Sequence, residues 1–137
     1  MKLKNYTTGI EAEKSIMEIE KILAQFGASH IMKEYLSDGT ATSLVFRLNN
    51  NSFRIPANVD GVQKALGKSG RIPMQKKRDE AYRVAWRIIK DWVHAQLSII
   101  YSGQAQPEQV MLPYLWDGKQ TLYDRYKEGR LQLEVKE

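Results

Sequence analysis

Residues 74–101 read MQKKRDEAYRVAWRIIKDWVHAQLSIIY, and their apolar spacing predicts a single helix, roughly 40 Å long at 1.5 Å per residue. Its apolar arc is Ala81, Val84, Ala85, Ile88, Ile89, Trp92, Ile99 and Ile100, with Gln96 the one polar exception. In a chain of 137 residues such a helix has to be the spine against which everything else packs. Ser102-Gly103 ends it, and before it lies a basic, glycine-containing loop from Gly67 to Pro73.

Working outward toward the N-terminus, Asn58 is placed to cap a short helix with Val59, Val62 and Leu66 turned inward. Ahead of it the period changes from helical to two. Residues 29–36 and 41–48 flank Ser37-Asp38-Gly39-Thr40, where Asp-Gly predicts a tight type I′ hairpin. In that register Ile31 faces Phe46 and Tyr35 faces Thr42. Leu44, Phe46 and Leu48 mark the core side; His30, Met32, Glu34, Val45 and Arg47 mark the other. Asn49 to Ser52 makes a second turn, and Phe53-Arg54-Ile55 reads as a third strand ended by Pro56, with Arg54 on the side of Arg47. Thr8-Gly9-Ile10-Glu11 has the form of a capping box and predicts a first helix over about 9–26, closed by Gly27.

Toward the C-terminus, helical stretches are predicted near 107–115, disturbed by Pro113, and near 119–128, closed by Gly129. Leu131, Leu133 and Val135 alternate like an edge strand, and the aromatic run through Tyr114, Trp116, Tyr123 and Tyr126 should mostly close the core, the remainder serving self-association or a partner. The expected architecture is a single α+β domain over residues 1–137. A three-stranded antiparallel sheet is packed on one face by the N-terminal helix and the long central helix, with short C-terminal helices.

The net charge of +5 is unevenly placed. Residues 1–63 balance; residues 64–90 carry nine basic residues against Asp79 and Glu80; residues 91–137 are net −2. On the long helix, Lys76, Arg83, Arg87, Lys90 and His94 fall on one stripe opposite the apolar arc, so they are predicted to face away from the core. Such a row can track phosphates. Lys68, Arg71, Lys77 and Arg78 would extend the grip, and Tyr82 and Trp86 would flank it and stack on unpaired bases. Cations at a helix N-terminus oppose its macrodipole, so Lys76, Lys77 and Arg78 sit where stability alone favours acids. The competing account is a solvated face held by the pairs Lys76–Glu80, Asp79–Arg83 and Arg87–Asp91. A secondary surface is the open sheet face with Arg47 and Arg54, unless the C-terminal segment or a second subunit covers it.

No Walker A, G-x-G-x-x-G, H-E-x-x-H or triad arrangement occurs, and only His30 and His94 are present, so no enzyme, cofactor or metal is expected. There is no cysteine, which suits a reducing compartment such as the cytoplasm, and neither a signal peptide nor a membrane span is expected. Taken together the residues point to nucleic acid, DNA or RNA, as the partner, with an acidic protein or protein complex as the alternative.

The strings Ile31-Met32-Lys33-Glu34-Tyr35, Phe46-Arg47-Leu48, Arg54-Ile55-Pro56-Ala57-Asn58-Val59-Asp60 and Leu112-Pro113-Tyr114-Leu115-Trp116-Asp117-Gly118 resemble small proteins encoded in bacterial prophages and other mobile elements. That resemblance covers most of the chain and brings no catalytic residues. It implies a context of phage DNA metabolism or of phage–host conflict, where a binding protein of the anti-CRISPR type would block a host defence nuclease. The order α-β-β-β-α is also similar, at the level of fold, to double-stranded-RNA-binding domains. This chain departs from them in its short first hairpin and in the helix and loop inserted before the long helix.

Overall fold

A computed structural model describes residues 3–67 and 74–130, with the side chains of residues 74–76 left out of the description. The chain runs α1 (Ala12–Gln25), β1 (His30–Tyr35), β2 (Ala41–Leu48), β3 (Asn51–Pro56), α2 (Val59–Gly67), α3 (Met74–Tyr101), α4 (Pro107–Met111), a 3₁₀ turn (Leu112–Tyr114) and α5 (Leu122–Lys127). The three strands form one antiparallel sheet in the order β1-β2-β3. This is the mixed α+β architecture the sequence predicts, with the long helix over the predicted residues. The strand proposed for Leu131, Leu133 and Val135 lies outside the described residues.

Local chemistry explains where the elements begin and end. Helix α1 starts three residues later than the capping-box reading requires. Ile10 N–H donates to the Thr8 hydroxyl (3.2 Å), which holds residues 8–10 in a local turn, and Glu11 occupies the N-cap without a side-chain bond. Its C-terminus is as predicted: Gly27 has φ 97°, and Ala28 N–H donates to Leu23 O (2.9 Å) while Gly27 N–H donates to Ala24 O (3.2 Å).

The first hairpin departs from the predicted type I′ turn, because that turn needs positive φ at both Asp38 and Gly39 and only Gly39 has it, at 88°. Leu36 N–H instead donates to Thr40 O (2.9 Å), enclosing a three-residue loop with Gly39 in the left-handed position; Thr40 N–H donates to the Asp38 carboxylate (2.8 Å). Ile31 faces Phe46 as predicted, but an irregularity between Glu34 and Tyr35 moves Tyr35 from Thr42 to Ala41. The two-residue turn of positive φ lies in the second hairpin, at Asn49 (51°) and Asn50 (65°), between the paired Leu48 and Asn51.

The core explains the order of layers. Ile16, Ile19 and Leu23 of α1, Leu44, Phe46 and Leu48 of β2, Phe53 and Ile55 of β3, and Trp86, Val93 and Leu97 of α3 bury one cluster. A second cluster joins Val59 and Leu66 of α2 to Ala81, Val84 and Ala85 of α3. Helix α3 therefore buries two arcs, one toward the sheet and α1 and one toward α2, a wider apolar face than the predicted arc. No helix among the described residues is long and apolar enough to cross a membrane.

Candidate nucleic-acid interface

The two buried arcs of α3 change the meaning of the basic stripe. Between them only a narrow strip remains outward, and Arg87 and Lys90 on it reach across to α1. Arg87 donates to Glu18 Oε2 (2.6 Å), and Lys90 lies 3.9 Å from the same oxygen and 3.6 Å from Asp91 Oδ1. Arg83 pairs with Glu80, one turn back. Side-chain exposures of 26% at Arg83, 17% at Arg87 and 18% at Lys90 show half-buried stems, not a solvent-facing row. The stripe predicted to face away from the core is corrected on this point; of its described side chains only His94 is exposed. The ion pairs also differ from the predicted Asp79–Arg83 and Arg87–Asp91: Arg83 takes Glu80 on its own helix, and Arg87 takes Glu18, which α1 supplies from across the helix seam.

Asp91 sits at the centre of this network. Burial alone would raise its pKa, but the Asn5 amide (2.9 Å) and the charges of Lys90, Lys4 and Arg87 hold it below the ordinary aspartate range. Asp91 thus stays ionised and keeps its cations paired.

The predicted stacking residues are corrected as well. Trp86 is 0% exposed, and its indole N–H donates to Ala41 O (3.2 Å). Tyr82 is half-buried beside it, accepting a hydrogen bond from Ala41 N–H on its hydroxyl (3.0 Å), and burial pushes its phenol up. Both rings anchor the start of β2 to α3, because the apolar face of α3 extends over positions that the narrower arc leaves outside. The Trp86 ring has no exposed face for a base, and the Tyr82 hydroxyl is held by β2.

At the N-terminal end of α3 the arrangement differs. Arg78 pairs with Asp60 and lies 3.2 Å from Gln63 Oε1, tying α3 to α2. Beside that tie is a hollow of about 440 Å³ lined by Asp60, Gln63, Lys64, Gly67 and Lys77. Neither Lys64 nor Lys77 forms an ion pair among the described residues. Lys68 and Arg71 lie outside the described residues, as does the side chain of Lys76.

The second sheet face is built in cross-strand rows. His30, Arg47 and Ser52 form the first, Met32, Val45 and Arg54 the second, and Glu34, Ser43 and Pro56 the third. In the third row Glu34 accepts from Ser43 and from Arg54 Nε (2.7 Å), and those bonds, Ser43 first, hold its pKa below the ordinary glutamate range. The C-terminal segment reaches the far edge of the sheet: Leu115 bridges to Phe53, and Trp116 N–H donates to Ser52 O (2.9 Å). Covering is therefore partial, leaving His30 and Arg47 exposed. Between them and the arriving segment is a groove of about 180 Å³ lined by His30, Met32, Val45, Arg47, Ser52 and Trp116. Sequence reasoning places His30, Met32, Val45 and Arg47 on this face and Ser52 in the turn beside it, whereas Phe46, which also lines the groove, is read as a core residue and Trp116 is not placed here. The Asp117-Gly118 turn after Leu115-Trp116 is the only signal of an extended piece there.

Among the described residues no group of three or more His, Asp or Glu could hold a metal ion. No protein-family model, curated protein or solved structure matches the chain.

Proposed function

We propose that this chain is a non-enzymatic nucleic-acid-binding accessory protein of a phage or mobile element, acting in the cytoplasm and gripping phosphates where α2 meets α3. The observation that carries this reading is that Lys64 and Lys77 face one hollow with no ion pair among the described residues, within a segment of nine basic and two acidic residues. Lys68, Arg71 and Lys76 are assigned to the same grip from their place in the sequence. Arg83, Arg87 and Lys90 contribute to the surrounding potential, since their own charges are matched by Glu80, Glu18 and Asp91. Phosphate contacts without a base-reading set give weak sequence preference.

The test is a titration of labelled duplex DNA at several salt concentrations. Five phosphate contacts predict a slope of log affinity against log salt of about −4.5. The double change Lys64→Ala/Lys77→Ala should flatten that slope by about 2 on every sequence tried. Absence of binding to DNA and RNA at low salt overturns the reading. One observation favours a second: Met32, Tyr35 and Leu36 are exposed around the first hairpin, a surface suited to a protein partner. Inhibition of a host nuclease complex by a chain that binds no nucleic acid would select that anti-defence role.

A further inference from the structure

Six of the seven described arginines are held by a carboxylate: Arg54, Arg78, Arg83, Arg87, Arg125 and Arg130. Arg47 is the exception, exposed and without an ion pair among the described residues. The tryptophans divide in the same way. Trp86 is buried and hydrogen-bonded, and Trp92 packs edge-on against Tyr114 at 5.3 Å. The half-buried Trp116 has neither an aromatic neighbour nor a hydrogen bond from its indole among the described residues. The unmatched arginine and the unmatched tryptophan line the same groove.

From this juxtaposition we infer that the groove on the open sheet face takes an unpaired base of a single-stranded nucleic acid, stacked on Trp116, with Arg47 on an adjoining phosphate. The inference rests on the phosphate-binding reading above and adds to it the form of the strand. An indole presents a flat apolar face that any base can cover, and an arginine with no acid of its own is matched by the phosphate that accompanies that base. His30 and Ser52 complete the row on either side of Arg47, placing a ring nitrogen and a hydroxyl at the walls of the groove. A base inside a duplex is stacked on both faces, so only an unpaired one can reach this indole. Protein ligands fit less well, because the groove of about 180 Å³ is small and its one unmatched charge is positive.

The experiment compares an oligothymidylate of about twelve nucleotides with a duplex of similar length, by fluorescence anisotropy on the full chain. Arg47→Gln and Trp116→Leu should each weaken the single strand by roughly five- to tenfold and change the duplex by less than about twofold. Lys64→Ala/Lys77→Ala should weaken both. Arg47 makes no side-chain bond among the described residues, so its variant tests the groove without unfolding it. Tryptophan emission gives a second readout: the oligothymidylate should quench the wild type, and Trp116→Phe should lose that quenching while Trp86 and Trp92 still emit. If the Lys64/Lys77 variant loses affinity while the groove variants bind the single strand like wild type, the groove is not a base site and the phosphate reading stands alone. If wild-type protein binds neither probe, both readings fall together.

Discussion

Two sets of cations of the same chemical kind meet opposite fates in this molecule. Along the middle of α3, Arg83, Arg87 and Lys90 are half-buried and matched by Glu80, Glu18 and Asp91. On the open face of the sheet, Arg47 stands in a cross-strand row between His30 and Ser52 and has no ion pair among the described residues. Charge density along the sequence favours the first set as a binding surface, but the fold occupies those groups internally. A cation is available to a ligand when no acid has been brought to it, and only tertiary structure determines that. The same distinction separates Trp86, whose ring is wholly buried, from Trp116, whose ring borders a groove.

The comparison breaks most visibly at the two tryptophans. Trp86→Ala should destabilise the chain by about 3–5 kcal/mol, since it opens a cavity between β2 and α3 and removes the donor to Ala41 O. Trp116→Ala should cost about 1–2 kcal/mol, the scale of a half-buried ring. Urea unfolding of both variants measures this; equal losses would make Trp116 a core residue and erase the distinction.

A smaller effect separates the cations. Glu18→Ala removes the shared partner of Arg87 and Lys90 and should cost about 1 kcal/mol, with the half-buried guanidinium left unmatched. Arg47→Ala should change stability by less than about 0.5 kcal/mol, because no described group depends on it. Thermal melts of the two variants side by side would sharpen the contrast or remove it.

These effects also show which parts of the molecule were legible in advance. The bounds of α3, the cap at Asn58, the stop at Gly27 and the pairing of Ile31 with Phe46 follow from local chemistry, and all appear. The turn types did not follow, because Asp-Gly is compatible with two loop geometries, and Asn49-Asn50 takes positive φ at both residues where the sequence suggests only a turn. The basic stripe follows from helical spacing as a row on α3, but its exposure does not. A helical wheel registers one apolar arc, whereas α3 packs against α2 on one side and against α1 and the sheet on the other. Glu18 lies 69 residues from Arg87 in sequence, so no local spacing rule can pair them. Trp116 reaches the sheet through a bridge between Leu115 and Phe53, another contact invisible to periodicity.

The open face contains its own control in Glu34, which holds Arg54 as no described residue holds Arg47. Its pKa is depressed by the Ser43 hydroxyl and the Arg54 guanidinium, so the folded chain binds this proton less readily than the unfolded one. The stability it contributes is therefore complete above the unfolded glutamate value of about 4.3 and is lost as pH falls through the lower folded value. With more than a third of the Glu34 side chain exposed, solvent screening keeps the contribution below about 1 kcal/mol. Glu34→Gln should lower the melting temperature slightly at neutral pH and flatten its decline in acid, with the two curves converging below the folded pKa. Arg47→Gln should leave the shape of the curve unchanged, because no described acid on this face is tuned by Arg47. A matching change of shape in that variant would mean that Arg47 already has a carboxylate partner in solution, and the groove would lose the unmatched charge on which its ligand depends.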